Sequence, residues 1–278
     1  MILKSSTVLC TRIFILDTLN FSFWARKDEN NVCKPFEVEW PEGSFHTGYW
    51  SLCAALQRAI LGPVPIPLLD ANFLAQIDLP TVEKIFQSSN GIQCPMIQQR
   101  MEVLQDIGRV LLEKFGGQFF NLLKQANNSA LKLVDLVTDN FYSYRDQTAY
   151  KNKTVYIYKV SSFYGDAYRV LTISQRVQIL VADLWACFEG EDWGKFNDID
   201  EITMFADYRV PQSLNYFGVI KYDEYLLARL FSDPHILPND PLEIEIRGSS
   251  IWVVEVSTIL YKQQFSTSVY TNTFSKAN

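Results

Sequence analysis

The chain is poor in the residues that build metal centres and disulfide frameworks. It contains two histidines, His46 and His235, and five cysteines, none of which form a Cys-x-x-Cys pair. An odd number of cysteines without paired spacing argues against a zinc site and against a disulfide framework, and it favours a reducing compartment. We therefore expect a cytoplasmic protein with no bound metal.

Positive charge and long apolar runs are also scarce. Lys and Arg number 25 against 31 Asp and Glu, giving a net charge of −6. Binding to a polynucleotide depends on clustered basic side chains, so we expect no nucleic-acid partner, although one or two arginines can still hold a small anion. No run of about 18 apolar residues predicts a membrane span. The N-terminal segment Met1–Leu16 is interrupted by Lys4 and Arg12 and does not resemble a signal peptide.

What the chain does have is a high content of apolar and aromatic residues. Hydrophobic residues make up 48% and aromatic residues 14% of its 278 positions. A chain of this length can bury a sizeable core as one large domain or two small ones. Aromatic side chains offer flat walls for a base or sugar, but they also simply fill cores, and composition alone leaves both uses open.

Hydrophobic periodicity predicts a mainly α-helical fold with a small N-terminal β-sheet. Thr11–Trp24 and Phe36–Trp40 are expected to pair as strands, and Lys151–Tyr158 is expected to be extended. We expect one domain over residues 1–262, with its β element near residues 11–40, and a disordered tail over residues 263–278. Helices are predicted over Tyr49–Leu61, Thr81–Gln87, Met96–Lys114, Gln118–Ala126, Ser129–Thr138, Arg176–Glu189, Ile199–Ala206, Pro211–Gly218, Asp223–Phe231 and Gly248–Leu260.

The segment Thr203–Gln212, with the sequence T-M-F-A-D-Y-R-V-P-Q, places a carboxylate between apolar residues and an arginine. Apolar neighbours disfavour the charged form of the Asp207 carboxylate, whereas an adjacent guanidinium favours it. Such opposed effects are common where a carboxylate does chemistry. The alternative is structural: Arg209 would lie at the end of one helix and Pro211 would begin the next.

Six blocks of sequence, taken in order, are distinctive. They are L-D-T-L-N-F-S-F-W (Leu16–Trp24), G-Y-W-S-L-C-A-A (Gly48–Ala55), E-K-F-G-G (Glu113–Gly117), Q-I-L-V-A-D-L-W (Gln178–Trp185), I-T-M-F-A-D-Y-R-V-P-Q (Ile202–Gln212) and E-I-E-I-R-G (Glu243–Gly248). Together they make the chain resemble the queuosine salvage protein family, the queuosine 5′-phosphate N-glycosylases/hydrolases, from about Phe14 to about Val256. The resemblance implies a largely helical fold similar to helix-hairpin-helix DNA glycosylases. It also implies hydrolysis of the N-glycosidic bond of queuosine 5′-phosphate, which frees queuine for tRNA modification, with no metal or organic cofactor.

The resemblance also implies roles for individual residues. Asp207 would stabilise the positive charge that develops on the sugar ring, or orient water, and Lys159 would be a second catalytic group. Phe21 and Trp24 have an alternative reading as core residues. The alternative for Asp17 is a structural role as the cap of a turn. The alternative for Asp183 is a structural role as the partner of Arg209 or Arg247, and these two arginines could instead bind the 5′-phosphate. The implied substrate-binding residues are Asp17, Asn20, Phe21, Trp24, Tyr49, Trp50, Asp183, Tyr208 and Arg209.

The chain departs from the family pattern after Lys159. Val160–Gln175 separates Tyr158-Lys159 from Arg176, which the family joins directly, and both ends are short compared with the family. We interpret the insertion as a translated, retained intron that could displace Lys159, the alternative being a surface hairpin that the fold tolerates. The second functional hypothesis is therefore a catalytically impaired, nucleotide- or base-binding product of a truncated or mis-spliced gene. A DNA glycosylase is disfavoured by the acidic net charge. We expect a monomer that binds a small nucleotide, with no membrane association.

Overall fold

The computed structural model describes residues 6–23, 34–145, 147–150, 153–156, 175–207, 209–232 and 240–274. These residues belong to two compact units, one drawn from residues 1–145 and 176–199 and the other from residues 146–175 and 200–278.

The first unit is almost entirely helical and has one small antiparallel sheet, as the sequence predicts for the N-terminal part of the chain. Short 3₁₀ turns at Tyr142–Tyr144 and Asp192–Gly194 complete it. Its elements are α1 (Ser6–Thr18), β1 (Glu37–Glu39), β2 (Phe45–Thr47), α2 (Tyr49–Leu61), α3 (Ala71–Leu74), α4 (Leu79–Ile85), α5 (Ile97–Phe115), α6 (Phe119–Ala126), α7 (Ala130–Asn140) and α8 (Gln175–Cys187).

Helix α1 corrects the prediction of a strand at Thr11–Trp24. The β-branched and aromatic residues of this segment favour a strand locally, but packing decides the outcome. The Phe14 ring stacks on Phe119, with the centroids 4.2 Å apart. The Thr18 hydroxyl donates to the Phe14 carbonyl at 2.7 Å, and the Tyr144 hydroxyl also donates to that carbonyl at 3.1 Å. Burial at residues 10, 14, 17 and 18 follows a helical spacing and fixes the face that α1 turns inward.

The small sheet confirms a strand within Phe36–Trp40 but changes its partner. Strand β1 pairs with β2, and Val38 lies opposite His46. Helix α2 begins directly after β2, at Tyr49, as predicted. The residue before it, Gly48, has a φ of 60° and a ψ of −138°. Residues that carry a Cβ atom rarely adopt this backbone conformation, so the glycine permits the sharp turn from β2 into α2.

Helix α8 is fixed in the first unit by its apolar side and by the loop that follows it. Val177, Leu180 and Leu184 are fully buried, whereas Trp185 on the same helix is 45% exposed. After the helix, the Asp198 carboxylate accepts hydrogen bonds from the Ser129 hydroxyl at 2.7 Å and from the backbone N–H of Ala130 at 2.6 Å. This carboxylate ties the loop after α8 to the beginning of α7.

The second unit contains β3 (Gln147–Tyr150), β4 (Lys153–Tyr156), α9 (Arg209–Tyr216), α10 (Glu224–Ser232) and α11 (Pro241–Phe274). The strands pair antiparallel, which agrees with the extended conformation predicted near Lys151–Tyr158. The helix predicted over Ile199–Ala206 is reduced to a 3₁₀ turn at Ile199–Glu201. Helix α11 includes residues 263–274, for which composition predicted a disordered tail.

The segment before α9 is anchored to α11. The Thr203 hydroxyl donates a hydrogen bond to the Glu255 carboxylate. Ala206 is 1% exposed and packs with the equally buried Ile251, with Met204 against them. No helix in the described part of the chain is long and apolar enough to cross a membrane.

Candidate functional site

The most unusual group in the first unit is the carboxyl of Asp17, on the last turn of α1. The residue is 1% exposed, and neither carboxyl oxygen accepts a hydrogen bond from any described residue. Its neighbour is a second carboxyl, that of Asp183 on α8. Burial, followed by the charge of Asp183 and a side-chain interaction with it, raises the pKa of Asp17 well above its ordinary value. Two ionised carboxylates cannot form a hydrogen bond with each other, because neither carries a proton to donate. A hydrogen bond between them requires that one of the two be protonated.

Asp183 completes this acid pair. It is half-buried, and burial raises the pKa of its carboxyl while the interaction with Asp17 acts in the opposite direction. Asp17, the more deeply buried acid, therefore keeps its proton to a higher pH than an exposed aspartate does. The alternative of an Arg partner for Asp183 stays a prediction, and Asp17 is the carboxyl that acts on it within the first unit.

Helix α2 places two further titratable groups next to the acid pair. Tyr49 and Cys53, one turn apart, are both half-buried. Burial, the neighbouring Cys53 thiol and the two acids raise the pKa of the Tyr49 hydroxyl. Burial also raises the pKa of the Cys53 thiol. Both groups are therefore neutral at pH 7, and the Tyr49 hydroxyl can donate.

An exposed aromatic ring lies beside this cluster. The Trp50 side chain is 65% exposed and meets the Tyr49 ring edge-on, with the centroids 5.5 Å apart. An exposed indole next to polar groups suits stacking on a planar base. Trp50 was predicted as a substrate-binding residue, and its exposure is compatible with that prediction.

Arg100 organises the segment that follows α1. Its side chain is fully buried and donates hydrogen bonds to the carbonyls of Leu19 at 2.7 Å and Phe21 at 2.6 Å. It also donates to the carbonyls of Ser22 and Pro95, both at 3.1 Å. Its guanidinium lies 4.4 Å from the centroid of the Phe21 ring. Phe21 thus has one face engaged by a cation, and the half-buried Asn20 lies within the segment that Arg100 holds.

Sequence reasoning missed Arg100, although the sequence contains a signal. Arg100, Val103, Leu104, Ile107 and Leu111 are all buried on one side of α5. This i, i+3, i+4, i+7, i+11 spacing is that of an apolar stripe. A charged residue at such a position is almost never buried without polar partners, so an Arg there predicts a buried network of acceptors.

In the second unit, Asp207 caps the beginning of α9. Its Oδ1 accepts hydrogen bonds from the backbone N–H groups of Arg209 and Val210, both at 2.9 Å. The structural alternative placed Arg209 at the end of a helix, and the segment instead begins one. Both bonds use Oδ1, and no described residue donates to Oδ2. The side chain is partly exposed, so an oriented carboxylate oxygen is available to a ligand.

The two arginines considered for phosphate or Asp183 have other contacts. Arg209 is exposed, and its guanidinium donates to the Gln212 amide oxygen at 3.3 Å. Arg247 pairs with Glu243 at 3.6 Å on α11. Both pairs are solvent-accessible, and exposed pairs of this kind contribute little to stability.

Three predicted site residues, Trp24, Lys159 and Tyr208, lie outside the described residues, as does most of the insertion Val160–Gln175. Their roles stay predictions. Within the described residues, no cluster of His, Cys, Asp and Glu has a geometry that could hold a metal ion.

Comparison with known proteins identifies the family of this chain. The model of the queuosine salvage protein family matches residues 4–272. The chain belongs to the queuosine salvage protein family. A Mus musculus protein named queuosine 5′-phosphate N-glycosylase/hydrolase is 41% identical over 244 residues, which are 88% of this chain and 65% of that protein. A Bos taurus protein of the same name is 42% identical over 88% of this chain and 65% of its own length. One from Sphaerobacter thermophilus is 38% identical over 89% of this chain and 68% of its own length.

The queuosine salvage match includes both units, and therefore includes the acid pair, the Arg100 network and the Asp207 cap. This chain spans 65% of the length of its mouse and bovine relatives.

The acid pair makes a prediction about stability and pH. In the unfolded chain Asp17 ionises near its ordinary pKa of about 3.9, but in the folded chain it keeps its proton to higher pH. Folding then binds a proton, so stability falls as the pH rises between the two pKa values. We expect Asp17→Asn to remove this pH dependence. The gain in the free energy of unfolding of the variant over the wild type should be at least about 1 kcal/mol larger at pH 8 than at pH 5.

Urea unfolding followed by circular dichroism at pH 5 and pH 8 measures this difference. Asp78→Asn is the control, because Asp78 is an exposed cap whose Oδ1 accepts from Thr81 N–H at 3.0 Å, and hydrogen bonds from Thr81 lower its pKa. That variant should keep the wild-type dependence over this range. Parallel stability curves for wild type and Asp17→Asn would contradict a buried, protonated Asp17.

Proposed function

We propose that this chain hydrolyses the N-glycosidic bond of queuosine 5′-phosphate and releases queuine for salvage into tRNA modification. The observation that carries the proposal is the match to the queuosine salvage family over residues 4–272, together with relatives of 41–42% identity that are named for this activity. The products would be queuine and ribose 5-phosphate, with water as the second substrate.

Asp207 is the carboxylate that we assign to the chemistry. Cleavage of the glycosidic bond builds positive charge on the ribose ring, and a fixed carboxylate at that ring lowers the barrier without reorganising. The two backbone N–H groups that hold Oδ1 fix the orientation of the side chain before substrate arrives. Oδ2 would then face the sugar or a water molecule. Lys159 is proposed as the second catalytic group.

The base would be gripped by residues of the first unit. Trp50 offers an exposed stacking face, and Phe21, whose ring contacts the Arg100 guanidinium, is proposed as a second base contact. Asn20, Tyr49 and the acid pair supply polar groups for the base edge. The remaining proposed contacts are Trp24, Tyr208 and Arg209, of which Arg209 is the candidate for the 5′-phosphate because a guanidinium matches its geometry.

We extend the proposal to the fold and setting of the protein. The helical units would have the architecture of helix-hairpin-helix DNA glycosylases, with a nucleotide in place of DNA. The protein would act as a cytoplasmic monomer that binds no polynucleotide, in keeping with its net charge of −6.

Liquid chromatography of the full chain incubated with queuosine 5′-phosphate tests the function. We expect time-dependent release of queuine and no release of guanine from guanosine 5′-phosphate, because the latter lacks the 7-substituted deazaguanine base. Binding of the nucleotide without release would instead favour the impaired binding product considered from the sequence.

A further inference from the structure

The segment that leads into α9 and carries Asp207 has no regular secondary structure and is held by α11. Residues 202–207 form neither a helix nor a strand. Two of them contact α11: the Thr203 hydroxyl donates a hydrogen bond to the Glu255 carboxylate, and Ala206 packs on Ile251. Ile251 and Glu255 are four residues apart and therefore lie on the same face of the helix. Helix α11 thus fixes the segment at two points.

The two points hold the segment in different ways. The contacts of Ala206 with Ile251 and Met204 are apolar, and apolar burial has no preferred direction. The hydrogen bond from Thr203 is directional, and its acceptor is a carboxylate, which makes such a bond about twice as strong as a neutral one. Thr203 is also buried, so water competes little for its hydroxyl. The polar point is therefore the one that fixes the register of the segment along α11.

The Glu255 side chain is used for this contact. It is half-buried, and no Lys or Arg of the described residues forms an ion pair with it. The Thr203 hydroxyl is the described group that donates to its carboxylate. Burying part of a carboxylate costs desolvation, and here the return is that one bond to the segment.

The position of the Asp207 carboxylate depends on this register. The Asp207 N–H donates to the Phe205 carbonyl at 2.8 Å, and its Oδ1 accepts from the N–H groups of Arg209 and Val210. The side chain is thus fixed to the peptide on either side of it, and this peptide is fixed to α11 at Thr203. A reacting group misplaced by about 1 Å can cost about a hundredfold in rate.

We propose that Thr203 and Glu255 are positioning residues that set where the Asp207 carboxylate meets the substrate. The inference rests on the proposed function, in which Asp207 stabilises the charge that develops on the ribose ring. Such an interaction is made in the transition state, so loosening the segment should lower kcat and leave KM unchanged.

Steady-state rates of queuine release by the full chain with Thr203→Val test the proposal. Valine has the shape of threonine but cannot donate to Glu255, and we expect kcat to fall about tenfold or more with KM within about twofold of the wild type. Thr203→Ser keeps the donor and Glu255→Gln keeps an oxygen acceptor. Each of these two should stay within about threefold of the wild-type kcat.

Combined variants show whether the two residues act together and through Asp207. Thr203→Val with Glu255→Ala should have the kcat of Thr203→Val alone, because both substitutions remove the same bond. In an Asp207→Asn background, Thr203→Val should lower the remaining single-turnover rate no further. A further loss of about tenfold in that background would overturn the proposal, because Thr203 would then act independently of Asp207.

Thr258→Val is the matched control. It makes the same substitution on α11, where the Thr258 hydroxyl donates to the Val254 carbonyl at 2.9 Å within the helix. We expect wild-type kcat and KM from it. Thermal melts give the folded fraction of every variant at the assay temperature, so that rates are compared per folded molecule.

A kcat of folded Thr203→Val within about threefold of the wild type, or an equal loss in Thr258→Val, would overturn the positioning role while the wild type still releases queuine. Absence of release by the wild type would overturn the proposed function, and the positioning role with it. Measuring the wild type and the variants in the same assay therefore separates the two failures.

Discussion

Asp207→Asn is expected to reduce the rate of queuine release about a thousandfold while leaving the protein folded. The amide cannot stabilise the positive charge of the sugar ring, and a loss of this size corresponds to about 4 kcal/mol of transition-state stabilisation. Its oxygen can still accept from the N–H groups of Arg209 and Val210, because Asn and Asp are equally good at this helix position. Steady-state rates of base release, with circular dichroism of both proteins, measure the effect.

The chain offers a matched control for this variant in Asp78→Asn. Asp78 makes the same kind of contact at the beginning of α4, and its substitution changes one helix cap in the same way. We expect wild-type release rates from it. If Asp207→Asn kept more than about a tenth of wild-type activity, Asp207 would be a helix cap and not the reacting carboxylate.

Arg100→Met is expected to have the largest effect on stability. Methionine fills a similar volume but leaves the carbonyls of Leu19, Phe21 and Ser22 without their buried donor. Removing one partner of a buried polar network costs about 3–5 kcal/mol. A lower midpoint of thermal unfolding, with unchanged spectra at low temperature, is the result to look for.

Arg100 should also affect binding of the base, because it holds the segment that carries Asn20 and Phe21. At a temperature where the variant is folded, we expect KM to rise more than kcat falls. Arg58→Met is the control: Arg58 donates to the carbonyls of Ile85 and Gln87, and to none of the carbonyls that Arg100 holds. It should lower stability without raising KM. Equal KM values for the Arg100 and Arg58 variants would show that Arg100 has a purely structural role.

Local pattern was sufficient where a helix buries a regular stripe. The beginnings of α2, α5, α6 and α8 were predicted to within a residue, because the apolar spacing of each helix is regular. The pattern failed at α1, whose strand-forming residues are turned into a helix by the packing of Phe14 on Phe119. Long-range contacts of this kind leave no mark on local periodicity.

The candidate site divides in the same way. The motif around Asp207 identified a carboxylate between apolar residues and an arginine. Its role as the cap of α9 was missed, because the sequence pattern placed the beginning of this helix two residues too late. The pairing of Asp17 with Asp183 joins residues far apart in the chain, and no spacing rule predicts it. Arg100 could have been found, since a lone arginine on the buried stripe of α5 requires acceptors.

The most direct measurement of the central claim is a product balance for the wild-type chain with queuosine 5′-phosphate. Mass spectrometry should find queuine and ribose 5-phosphate in equal amounts, accumulating over many turnovers without added metal or cofactor. A substrate that remains intact, or queuine that never exceeds one equivalent per protein, would contradict the assignment of this chain as a nucleotide N-glycosidase.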